Sequence, residues 1–264
     1  MTAMLLFKVI CTPLLMWGSL LITRRWGAFA GGIAAGLPTI SGPVSFSLAV
    51  EQGPDFAAAA ALDALYAVLG VSVFTVVYAW TARSGRRWPL CLLSAAAGFL
   101  TTGWCVDLLP RTAWLSIACG LLAPPLTVRL LPPGGGRIIP APQARWILPL
   151  EMVLATLLVV GVSCAASVLG RHWSGVLSFY PVMLTLLSPW CHATQGPSAV
   201  RDLLAGMMTG FAGGTSLTAV VLLCVQHLSL AACYGLGVLT ALVVSAVAAF
   251  FRLRQTGGRF SGRG

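Results

Sequence analysis

Residues 55–81 read DFAAAAALDALYAVLGVSVFTVVYAWT, a run whose only charges are Asp55 and Asp63. A bilayer core is crossed by about 20 apolar residues in a helix, and this run exceeds that. Extending the same reading outward finds nine such runs, at 3–23, 26–50, 55–81, 88–108, 112–131, 146–169, 173–193, 198–225 and 228–251. The expected fold is all-α: a polytopic transmembrane helical bundle of about nine spans.

Composition agrees. The chain has 264 residues, 58% of them apolar and 8% charged, with a mean hydropathy of +0.92. Soluble domains carry about 25% charged residues, so this chain could not cover a water-exposed surface. A cytosolic enzyme, a disordered chain and a disulfide-built secreted domain are excluded. The net charge of +10 would suggest nucleic acid in a soluble protein. Here the cations sit in short clusters between apolar runs, so no nucleic-acid partner is expected and the bilayer itself is the first partner. The eight cysteines form no C-x-x-C pair, and no metal or other cofactor is expected.

The cations orient the spans. Arg24, Arg25, Arg83, Arg86, Arg87, Arg129, Arg137, Arg145, Arg201, Arg252, Arg254, Arg259 and Arg263 all fall on one side of a nine-span path. Lys8, Arg111 and Arg171 fall on the other. The positive-inside bias then puts the N-terminus outside and the C-terminus in the cytoplasm, and an odd number of spans requires the same. The start Met1-Thr-Ala-Met-Leu-Leu-Phe-Lys8 lacks the basic region of a cleaved signal, so the first run is expected to be retained.

A displaced self-similarity runs through the chain. Glu51-Gln52-Gly53-Pro54 matches Thr194-Gln195-Gly196-Pro197 at an offset of 143, which also takes Pro38 to Pro181, Ser45 to Ser188 and Gly70 to Gly213. Spans 1–4 would correspond to spans 6–9. Five helices separate equivalent elements, and five is odd, so the two repeats would be inverted. The expected organisation is a first four-helix repeat over 1–109, a connector helix with a Pro/Gly linker over 110–145, an inverted repeat over 146–252, and a basic disordered tail over 253–264. Inverted repeats recur in secondary transporters, because exchanging their conformations moves access from one side to the other.

The stretch Gly31-Gly-Ile-Ala-Ala-Gly-Leu-Pro38-Thr39-Ile-Ser-Gly-Pro43, continuing to Glu51-Gln52-Gly53, resembles the small four-helix inner-membrane proteins of the GlpM type. The resemblance covers about thirty residues closely and implies a bacterial inner-membrane protein without specifying chemistry. By topology the layout also looks like a fused inverted-repeat transporter, similar to small drug exporters and their duplicated relatives.

Polar groups inside apolar runs are costly, at least about 2.5–3.5 kcal/mol for a charge on insertion scales, and so mark candidate sites. Pro38, Thr39, Ser41, Gly42, Pro43 and Ser45 fall within eight residues of span 2, and span 7 repeats the pattern with Tyr180, Pro181, Ser188 and Pro189. Two readings stand: a broken helix offering backbone groups to a substrate, or a simple kink. The two spans are expected to cross at the axis relating the repeats. Asp63 is either a coupling carboxylate facing a polar cavity or an acid bonded to a neighbouring helix. Glu151 is either a gate or a helix-start acid. Glu51, Gln52, Gly53, Gln195 and Gly196 form the two turns at the ends of these spans. Asp107 and Arg111, four apart, are expected to pair, and His192 is expected to be structural.

No Walker loop, H-E-x-x-H or G-x-S-x-G pattern occurs, so catalysis is not expected. The leading expectation is a small-molecule transporter or exporter. The alternatives are a non-transporting subunit of a lipid or polysaccharide assembly and a lipid flippase. A homodimer or a partner membrane subunit is the expected protein partner.

Overall fold

The computed structural model describes residues 25–38, 41–133 and 180–257, together with isolated positions at 18, 21–22, 153, 157 and 161. Spans 3–23 and 146–169, Thr39 and Glu151 lie largely or wholly outside the described residues. Every element among the described residues is a helix: α1 Ala28–Gly36, α2 Ser41–Gln52, α3 Pro54–Arg83, α4 Trp88–Val106, α5 Ala113–Leu130, α6 Val182–Gln195, α7 Pro197–Cys224 and α8 Leu230–Gly257. Five of them, α3, α4, α5, α7 and α8, are long and apolar enough to cross a membrane.

Glycine and proline set the boundaries. Gly53 (φ +90°, ψ 171°) and Gly196 (φ +86°, ψ 177°) occupy a region that only glycine enters without strain. Each is followed by a proline at the first helical position, where its missing N–H costs nothing. The two Gln-Gly-Pro steps therefore build the same joint, a short helix ending at glutamine and a long one starting at proline.

The long helices α3 and α7 run antiparallel and pack on one another. Gln226, just past α7, donates to Asp55 in the first turn of α3 at 2.9 Å. At the other end, the Arg201 Nε in the first turns of α7 donates to the Pro132 carbonyl just past α5, and Trp80 near the end of α3 donates to the Leu130 carbonyl. Arg83, Arg129 and Arg201 thus gather at one end of the bundle, as the alternating cations require, and α8 runs to that end as well.

Around the α3/α7 pair the packing is matched. Helix α4 folds back antiparallel on α3, as α8 does on α7. Gly70 admits Phe99 of α4, and Gly213, 143 residues on, admits Ala241 and Ser245 of α8. Helix α2 packs on α3 and α8, and α6 packs on α7 and α4. Helix α5 contacts both α3 and α7.

Helix α1 lies parallel to α7, backbone against backbone. A Cβ at Gly32 would overlap the Leu203 carbonyl, one at Gly36 the Met207 carbonyl, one at Gly206 the Phe29 carbonyl, and one at Gly210 the Ile33 carbonyl. Two Gly-x-x-x-Gly faces meet here, and in lipid, where apolar side chains gain nothing by leaving the solvent, close backbone packing is a principal source of association.

Candidate site at the half-helices

Span 26–50 is not one helix. It stops at Gly36, Leu37 is extended (φ −64°, ψ 149°), and α2 starts at Ser41. Pro38 is the physical reason, since it has no N–H to give the Ala34 carbonyl. The break sits at the level of Gly214, whose added Cβ would meet Pro38 Cβ at 3.7 Å, near the middle of the 28-residue α7. Span 173–193 is likewise not helical throughout: α6 starts only at Val182, and 173–179 lie outside the described residues. Tyr180 meets Phe99 edge-on at 5.4 Å between ring centroids, and Phe99 covers Gly70 near the middle of the 30-residue α3. Two short helices therefore begin deep in the bundle, α2 of 12 residues and α6 of 14.

The expected crossing of the two spans involves residues 173–179, which lie outside the described residues. Among the described residues α3 and α7 pack along each other, while α2 rests on α3, α8 and α7, and α6 on α7 and α4.

On α2, Gly42 is buried, Pro43 is exposed, and the half-buried Ser45 hydroxyl lies 2.7 Å from the Tyr234 hydroxyl of α8. Phe46 packs edge-on against the same tyrosine. The Ser47 hydroxyl bonds back to the Pro43 carbonyl at 3.0 Å. Glu51 and Gln52 are exposed at the end of α2, and Gln195 and Gly196 are half-buried at the end of α6.

On α6, Pro181 and Thr185 are buried and Ser188 is 0% exposed, while Pro189 is half-buried. The hydroxyls of Thr185 and Ser188 have no hydrogen-bond partner among the described residues. Ser72 of α3 and Ser245 of α8 share this state, whereas Thr75, Thr81, Ser94, Thr101, Thr127, Thr209 and Thr218 bond back to a carbonyl of their own helix. His192, one turn beyond Ser188, reaches the Tyr78 hydroxyl at 3.5 Å and the Tyr78 ring edge-on at 6.1 Å.

Asp63 is tied to a neighbouring element. It forms an ion pair with Arg111, which also reaches Asp107 at 2.9 Å. The α4–α5 turn lies at this level, because the Tyr66 hydroxyl donates to the Pro110 carbonyl at 2.7 Å. From Tyr66 to Arg83 helix α3 rises about 26 Å, close to a hydrocarbon core. The exposed Trp104, Leu108 and Trp114 ring this turn. Asp63 is therefore an acid near the membrane boundary, bonded to a neighbouring element.

Arg111 was legible only as the partner of Asp107; its being one of three cations on the sparse side was the remaining signal. Thr185 was missed, although it stands three residues before Ser188 on the same helical face. Tyr234 and Tyr78 carried no signal, since their partners lie 189 and 114 residues away. No protein-family model, curated protein or solved structure matches the chain significantly.

Proposed function

We propose that the protein is a secondary transporter that moves a small molecule by alternating access between two inverted halves, α1–α4 and the segment ending in α6–α8. The observation that carries this reading is the pair of half-helices, α2 and α6, that both begin at mid-depth and both end in a Gln-Gly-Pro joint. The antiparallel run of α3 against α7 and the matched packing of α2, α3 and α4 with α6, α7 and α8 support it. Transporters place substrates at such discontinuous helices, where backbone groups are released from the helical ladder and face a cavity instead of lipid. Nine spans, an N-terminus outside and a bacterial inner membrane complete the reading, in keeping with the GlpM-type likeness of Gly31 to Gly53.

In this scheme α3 and α7 are the fixed crossing. Helix α1 is keyed to α7 by its glycines, which leaves α2 and α6 as the elements free to rock. Asp63 holds the α4–α5 turn through Arg111 and is a positioning residue.

The test is flux of a panel of labelled small solutes into proteoliposomes under imposed proton or sodium gradients. Gradient-dependent flux that stops when α2 is crosslinked to α8 through S45C and Y234C supports transport. Stable co-purification with another membrane subunit, with no flux from the isolated chain, would instead establish a scaffold.

A further inference from the structure

We infer that the start of α6 binds a singly charged oxyanion, a carboxylate or a phosphodiester. This rests on the transport reading and names the chemical class of its substrate.

The geometry begins at Tyr180-Pro181. Pro181 (φ −78°, ψ 72°) forms a tight turn in which Val182 N–H donates to the Tyr180 carbonyl at 2.8 Å, and Thr185 N–H donates to the Pro181 carbonyl at 3.0 Å. The N–H groups between them, on Met183 and Leu184, take no acceptor among the described residues. At the protein surface such groups meet water. Here Pro181 is buried, Leu184 is 1% exposed and Thr185 8% exposed.

Two more donors stand on the same element. The Thr185 and Ser188 hydroxyls, 8% and 0% exposed, have no partner among the described residues. Being three apart, they share one side of α6. The first turns of α6 thus hold four donors without an acceptor among the described residues, three on the buried Leu184, Thr185 and Ser188 and one on the half-buried Met183, at the positive end of a 14-residue helix, at the level of Phe99 and Gly70. A buried donor lacking an acceptor is unfavourable, and four together call for one acceptor-rich group.

Charge sets the class. A neutral ligand would gain little from the helix dipole, and a cation would be repelled by it. A dianion would need about twice the compensation of a monoanion, and Arg83, Arg129 and Arg201 gather at the far end of α6 from this start. A carboxylate or phosphodiester has one negative charge and enough lone pairs for four donors.

The test uses the full chain in phosphatidylcholine nanodiscs. Trp190, two residues past Ser188, supplies a fluorescence report once the other eight tryptophans are replaced by phenylalanine. Sodium propionate is titrated in against sodium chloride, with propionamide and tetramethylammonium chloride as neutral and cationic probes. A parallel set of discs contains phosphatidylglycerol.

A saturable response to propionate identifies a free acid, and a response to phosphatidylglycerol alone identifies a lipid headgroup; either supports the site. In both cases the T185V/S188A variant responds at least about tenfold more weakly, from the loss of two charge-assisted hydrogen bonds. That variant also unfolds at or above the parent temperature, because it removes buried hydroxyls that lack partners. An equal response to propionamide, a response only to tetramethylammonium, no response to either anion, or no effect of the double substitution would overturn the inference. Flux separates this site from the transport reading. Transport confined to cations or neutral solutes would end the anion site and leave transport standing. Anion binding without flux would do the reverse.

Discussion

The hydroxyls of Ser45 and Tyr234 lie 2.7 Å apart, joining the half-helix α2 to the first turns of α8 across 189 residues. Their counterparts at the 143-residue offset are Ser188 and Cys91, and no hydrogen bond joins that pair. The two short helices are therefore held differently, α2 by a hydroxyl latch and α6 by the Tyr78–His192 contact and aromatic packing.

The latch predicts a measurable coupling. Tyr234→Phe and Ser45→Ala should each lower stability by about 1 kcal/mol, the usual net worth of a neutral hydrogen bond. A double-mutant cycle read by thermal unfolding should show that the two losses do not add. Strict additivity would mean that the bond contributes nothing.

The α1–α7 contact predicts a sharp contrast among glycines. Gly206→Ala or Gly36→Ala places a methyl on a backbone carbonyl, which no rotamer change relieves, and should cost about 1–3 kcal/mol or displace α1. Gly214→Ala meets Pro38 only at ordinary contact distance and should be nearly neutral. Unfolding midpoints of the three variants in detergent check this, and equal losses would contradict the keyed packing.

Backbone conformation makes Gly53 and Gly196 a matched pair. At φ +90° and +86° with extended ψ, an alanine at either position would be strained by about 1–3 kcal/mol. Similar penalties at both positions are expected. A large loss at one and none at the other would speak against equivalent joints.

The gathering of Arg83, Arg129 and Arg201 at one end predicts sidedness. The exposed Cys105 lies near the α4–α5 turn, at the opposite end. On a background lacking other cysteines, a membrane-impermeant maleimide should label Cys105 in intact cells, and a cysteine at Ser84 only after permeabilisation. Labelling of both from the same side would refute the bundle's polarity.

The broken spans show how far local signals reach. Proline clusters in spans 2 and 7 left a break or a kink open, because a missing N–H acts within one turn; the structure breaks span 2 at Leu37–Pro38, while α6 starts at Val182 and continues through Pro189. Long apolar helices α3, α4, α5, α7 and α8 were readable to within a few residues for the same reason: run length and flanking Gly, Pro and Arg are local properties. The roles of Asp63, Ser45 and His192 were not readable. Each depends on a partner brought in by packing, respectively Arg111, Tyr234 and Tyr78.

The sequence by itself determined that the chain is built of apolar helices suited to a membrane, where the five long ones lie, and that span 26–50 is interrupted near Pro38. Those features follow from transfer energies and backbone chemistry that act along the chain. Only the tertiary structure decided that α3 and α7 pack antiparallel, that Asp63 is tied to the α4–α5 turn, and that the start of α6 holds donors without acceptors among the described residues. Depth and partnership depend on how helices stack, and a hydroxyl with a carbonyl in reach is indistinguishable in sequence from one without.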